Sequence, residues 1–229
     1  MSIRDSGKIV GTASIKAVAQ ACNLQFPLSL RQFRNNTPGC PFPRCNTIHL
    51  KVLQQPNIPI DTMLRNMRQV YSTANIRVVV GSRENLGGPP FATLLDVNVG
   101  TCPRPPVSQA TLTAEQVQLF QNRNNVGPNE IAVYFVRTTQ PTSSNGCSAS
   151  TANQPSVVVA QTASPWTLAH EVGHVLGLIH LIPETCPNLG GPIPTRLMTG
   201  CGTRLLAGTP TVSQGEINTM IASNLTPAC

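Results

Sequence analysis

The sequence holds little that is long and apolar, strongly charged or aromatic. No run approaches the ~18 consecutive apolar residues of a transmembrane helix, which excludes a helical membrane span. Charged residues make up 11% of the chain and aromatic residues 4%, so neither a charged tail nor a stacking platform is present. Sixteen basic residues outnumber nine acidic ones, for a net charge of +7, yet they stand singly from Arg4 to Arg204. Nucleic-acid binding calls for a basic stripe interleaved with aromatics, and that pattern is missing. The charge reads as a basic, solvated surface. No Cys-x-x-Cys pair occurs, which argues against a zinc knuckle built from cysteines. The N-terminal stretch MSIRDSGKIVGTASIKAV lacks the long apolar segment of a signal peptide.

What is present includes eight cysteines: Cys22, Cys40, Cys45, Cys102, Cys147, Cys186, Cys201 and Cys229. An even number suits four disulfides and an oxidising compartment. The expectation is a secreted or otherwise extracytoplasmic protein whose leader is not visible in this chain. At 229 residues the chain can bury one good-sized core, and a monomer is expected.

Residues 1–45 read as an N-terminal extension or pro-like segment with one short helical candidate, Ile15–Leu24. From Thr47 the patterning becomes regular. Thr47–Leu53 alternates as a strand, with Ile48, Leu50 and Val52 on one face. Asp61 opens a helix whose Leu64, Met67, Val70 and Tyr71 recur at helical spacing. Strands are expected at Ile76–Val80, Leu94–Val99, Glu130–Val136 and Ser156–Ala160. A short helix follows a capping box of Thr113 with Gln116 and a staple of Leu112 with Val117. A last helix starts at Ser213, capped by Glu216, and turns Ile217, Met220, Ile221 and Leu225 to the core. The order predicts an α+β fold, a mixed sheet covered by helices.

Residues 170–180 read HEVGHVLGLIH and hold three of the four histidines. By composition alone, H-E-x-x-H-x-x-G-x-x-H would arise in roughly two chains per million of this length. Ser164 suits an N-cap and Pro165 the first position of a helix, so a helix is expected to begin there. His170 and His174, four apart, then share one face and can share one metal. Gly177 can take the left-handed conformation that ends a helix, and His180 can swing back as a third ligand. Three neutral imidazoles leave zinc an open position, the mark of a catalytic site. Zinc so held lowers the pKa of its water to about 7. Glu171, about 100° round the helix from His170, stands outside the ligand set and is placed to act on that water as general base.

This motif, followed by a methionine-bearing turn, resembles the metzincin clan of zinc endopeptidases. The turn is Arg196-Leu197-Met198-Thr199-Gly200, and the resemblance makes Met198 the hydrophobic floor beneath the ligands. It implies a twisted mixed sheet with a backing helix and an active-site helix, above a smaller C-terminal subdomain. Residues 46–180 would form the upper part and 181–229 the lower part of one catalytic domain. It also implies one catalytic Zn2+, a protein or peptide substrate, and an edge strand near Cys147–Thr151 that binds substrate. Leu181 after the third histidine and Gly200 two residues past Met198 depart from the best-known groups, so the resemblance is to the clan and not to a family within it. Pro43-Arg44-Cys45 resembles part of a cysteine switch, but a small Cys40–Cys45 disulfide loop is preferred. A Cys186–Cys201 disulfide would stiffen the turn. His49 reads as a surface or packing histidine and Trp166 as core. Two alternatives stay open: a narrow-target effector protease, and a catalytically silent, zinc-containing, disulfide-rich binding module.

Overall fold

The computed structural model describes residues 3–5, 8–10 and 43–229, apart from 103–110, 143, 150, 152–153 and 182–185. A two-stranded antiparallel ladder, β1 (Ile3–Asp5) with β2 (Lys8–Val10), stands first and was not expected from the sequence. Then β3 (Arg44–Val52) leads through helix α1 (Ile60–Ser72) to β4 (Ile76–Asn85). Next come β5 (Asp96–Asn98) and helix α2 (Ala114–Phe120), with Thr113 and Gln116 forming the expected capping box. β6 (Ile131–Val136), β7 (Thr138–Gln140), β8 (Gly146–Cys147) and β9 (Ser156–Ala160) follow. Helix α3 (Thr167–Val175) carries the first two histidines, and α4 (Gln214–Ala222) comes last, capped by Ser213 and Glu216.

The main sheet runs β4-β3-β6-β9-β8. Every neighbouring pair is parallel except β8 on β9. β5 and β7 pair separately, in parallel. Parallel strands need cover on both faces, which is why β6 and β9 are buried at every position and apolar in all but Ser156 at the start of β9. On one face Ile48, Leu50, Val133, Phe135 and Val157 meet Met63, Met67 and Tyr71 of α1 and Leu168 and Val172 of α3. On the other, Tyr134, Val136 and Val158 meet Leu119 and Phe120 of α2. The α+β expectation therefore holds, with a mixed, mostly parallel sheet. β8 forms the sheet's edge, within the region where an edge strand was expected. No helix among the described residues is long and apolar enough to cross a membrane.

The disulfides correct one expectation. Cys45 bonds Cys229, not Cys40. The reason is a C-terminal tail that runs back beside the start of β3. The Cys45 amide donates to the Pro227 carbonyl at 2.9 Å and the Cys229 amide to the Pro43 carbonyl at 3.2 Å. The Asn46 side-chain amide donates to the Leu225 carbonyl at 3.0 Å. Cys186–Cys201 pairs as expected, and Cys102 bonds Cys147. Cys22, Cys40 and the helical candidate Ile15–Leu24 lie outside the described residues. Cys45–Cys229 spans 184 residues, so it restrains nearly all of the unfolded chain. Replacing both partners by serine is expected to remove about 2–5 kcal/mol of stability, read as a lower urea midpoint. An unchanged midpoint would mean that the tail is held by its backbone bonds alone.

Candidate metal centre

Helix α3 begins later than Ser164 and Pro165 suggest. It starts at Thr167, with Trp166 at its N-cap. Ser164 caps the turn that leads into the helix and also joins a buried cluster of hydroxyls. Its Oγ accepts from the Trp166 amide at 3.2 Å and lies 2.8 Å from Thr203 Oγ1. Its own amide donates to Thr167 Oγ1 at 2.9 Å. Thr167 Oγ1 in turn stands 2.9 Å from Thr203 Oγ1. Helix α1 packs beside α3 on the same face of the sheet, and its buried Tyr71 hydroxyl donates to the Ala169 carbonyl at 3.0 Å. Trp166 is buried, as expected.

With the helix held, its 3.6-residue period puts His170 and His174 on one face. At the other end Leu176 caps the helix and Gly177 takes φ +98°, the left-handed turn expected of it. The chain then returns, and the His180 ring meets the other two. The Nε2 atoms stand 3.1 Å (His170–His180), 3.2 Å (His170–His174) and 3.0 Å (His174–His180) apart. The opposite nitrogens settle the tautomers of the helical pair. His170 Nδ1 donates to the Leu197 carbonyl at 2.7 Å, and His174 Nδ1 to the Leu178 carbonyl at 2.9 Å. A carbonyl can only accept, so in the neutral rings each Nε2 keeps its lone pair for the shared point. Burial, the neighbouring His174 and His180 lower the pKa of His170 to about 3, against an opposing hydrogen bond to Leu197, and leave it neutral, the form that ligates a metal. The two helical lone pairs, 3.2 Å apart, repel unless a proton or a cation lies between them. Nitrogens about 2.0–2.1 Å from a tetrahedral zinc stand roughly 3.3–3.4 Å apart, close to the spacing here. The three histidines could therefore hold a metal ion.

Glu171 faces the same cleft, 7% exposed. Burial pushes its carboxyl up to about 8, opposed by a hydrogen bond from Ser148. Gly146 of β8 lies against it, where a β-carbon would stand 2.7 Å from Glu171 Cγ. The turn expected at Met198 grips both arms of the histidine cluster. Leu197 receives His170, and the amide of Leu181, next to His180, donates to the Met198 carbonyl at 3.1 Å. Met198 is fully buried, its Sδ 3.0 Å from where a β-carbon on Gly173 would stand. The Arg196 guanidinium pairs with Glu216, so the capping residue of α4 also anchors the turn. His49 takes no part. It is buried, with Nε2 2.9 Å from Glu130 Oε2 and Nδ1 2.9 Å from Ser82 Oγ.

The structure thus brings together His170, Glu171, His174 and His180, with Gly177 and Met198 beside them. Sequence reasoning missed Gly146 of β8 and Ser148 just after it, which reach Glu171, and the hydroxyl cluster of Ser164, Thr167 and Thr203. Only Thr167 carried a signal, since it precedes Glu171 by one helical turn.

No protein-family model matches this sequence, and no curated protein does. Among solved structures, the chain is similar to metalloproteinase-II from Bacteroides fragilis. The TM-score is 0.53 at 13% identity, over 96% of this chain and 74% of that one. A chaperone–substrate complex matches at a TM-score of 0.49 and 10% identity, over 80% of this chain and 34% of that one, too loosely to argue from. The fold is therefore similar to that of a metalloproteinase, and it carries a three-histidine cluster able to hold a metal.

Proposed function

We propose that the chain is a zinc-dependent endopeptidase of metzincin type, with His170, His174 and His180 as ligands and Glu171 as general base. The observation that carries this reading is the convergence of three histidine Nε2 atoms beside the buried Glu171 carboxyl, in a cleft of about 410 Å³. Three imidazoles without a carboxylate ligand suit zinc in a catalytic setting. When bound, zinc supplies Lewis acidity toward a water and toward the substrate carbonyl. The chain's own residues do the rest. Glu171 takes the proton of the attacking water on its carboxylate and returns it to the leaving amine. Burial raises the proton affinity of Glu171, which favours its taking the proton of the water. Ser148 and Gly146 hold the carboxylate in place. The outer edge of β8 would add an extended substrate strand. Gly177 delivers His180, and Met198 floors the site, as the metzincin resemblance implies. Residues 46–180 would serve as the upper part and 181–229 as the lower part of one catalytic domain. Three disulfides fit an oxidising, extracytoplasmic setting, and the substrate would be protein or peptide.

The test is digestion. The zinc-loaded chain is expected to bind one zinc and to cut casein or gelatin; a chelator stops cleavage and added zinc restores it. A chain that holds its zinc and cuts no protein or peptide is not a protease.

A further inference from the structure

We infer that the cleft selects small, uncharged, hydrogen-bonding side chains (Ser, Thr, Asn, Gln) beside the scissile bond. This rests on the peptidase reading above and adds the substrate class. Apart from Glu171, the three histidines and the disulfide-bonded Cys102, every described residue lining the cleft is Ser, Thr, Asn or Gly. Thr101, Asn145 and Ser148 stand on the β8 side, and Thr167, Thr199 and Thr203 on the side of α3 and the methionine turn. Among the described residues no Val, Leu, Ile, Met, Phe, Tyr or Trp lines it, although ligand pockets are ordinarily mostly apolar.

The chemistry of that wall decides what enters. A leucine or phenylalanine side chain would strip water from exposed Thr101 and half-buried Ser144 and Asn145 and give no hydrogen bond in return. A charged side chain would lose hydration without a counter-charge. The cleft's one carboxylate is Glu171, and no basic side chain lines it among the described residues. The guanidinium of nearby Arg204 is turned to Asn145 Oδ1 at 2.6 Å and to the Thr162 carbonyl at 2.9 Å. A hydroxyl or amide side chain both donates and accepts, so it can replace the water it displaces. The wall is also rigid. Thr167 and Thr203 are tied to each other and to Ser164, all three buried. The site is therefore organised before substrate arrives.

The experiment is digestion of a peptide library, randomised on both sides of the cleaved bond, by the zinc-loaded full chain, read by mass spectrometry. Sites with Ser, Thr, Asn or Gln beside the scissile bond are expected to exceed those with Leu, Phe, Lys or Asp by at least about tenfold. Thr203→Val is expected to move the profile toward Val and Leu, and Thr101→Val, on the exposed rim, to move it the same way by less. If a Thr203→Val melt shows misfolding, the parent profile and Thr101→Val decide. A parent preference for Leu, Phe or charged residues, a flat profile, or profiles unmoved by folded variants would overturn the inference and leave the peptidase reading intact. No cleavage at all by zinc-loaded chain would overturn both.

Discussion

Glu171→Gln is expected to keep its zinc and to cut peptides about 10²–10⁴-fold more slowly than the parent. The substitution keeps the size and shape of the side chain. Gln can still accept from Ser148 and fits the same space against Gly146. It cannot take a proton at neutral pH. None of the three ligand nitrogens belongs to Glu171, so metal content is expected to stay at one per chain. The loss therefore falls on kcat, with KM nearly unchanged, because the proton transfer is made only in the transition state. Metal analysis and steady-state kinetics on one peptide are enough. A variant as fast as the parent would remove Glu171 from the chemistry. A variant without zinc would make it a structural support of the ligands. The same cycle tests the support of the carboxylate, because Gly146→Ala would press a β-carbon against Glu171 while leaving the histidines alone.

The legible parts of this protein are those written in short-range periodicity. β6 and β9 read as strands because near-continuous apolar runs suit strands buried on both faces. The caps of α2 and α4 were legible because a capping box is four residues long. His170, Glu171, His174, Gly177 and His180 share one turn of helix and its exit, so spacing alone brings them near each other. What escaped depends on distant contacts. The hydroxyl cluster at the start of α3 is one case, because Thr203 lies 39 residues from Ser164 in the chain. Cys45 chose Cys229 over a neighbour five residues away because the C-terminal tail forms backbone bonds beside β3. Gly146 and Ser148 sit in no motif, and their role follows from β8 lying at the sheet edge beside α3. Only the folded sheet makes those neighbours.

His180→Ala is expected to weaken zinc binding by more than about 100-fold, beyond what losing a supporting hydrogen bond costs, and to abolish cleavage. Gly177→Val is expected to move the same way, although residue 177 offers no metal ligand. Its backbone sits at φ +98°, a conformation that a β-branched residue adopts only under strain. Strain of about 1–3 kcal/mol corresponds to roughly 5- to 150-fold in an equilibrium. A β-carbon there would also stand 3.2 Å from Thr219 Cγ2 of α4, so the turn cannot swing freely to relieve it. The turn holds two ligands at once. The Gly177 amide donates to the His174 carbonyl at 2.9 Å, and Leu178 supplies the carbonyl that receives His174 Nδ1. Opening the turn therefore moves His180 away and frees the tautomer of His174. Gly177→Ala, with a smaller side chain at the same φ, is expected to fall between parent and Val. Zinc affinity read by competition with a chromophoric chelator, alongside the melting temperature of the metal-free protein, separates lost affinity from lost fold. A folded Gly177→Val that binds zinc as tightly as the parent would mean that something other than this turn brings His180 to the metal.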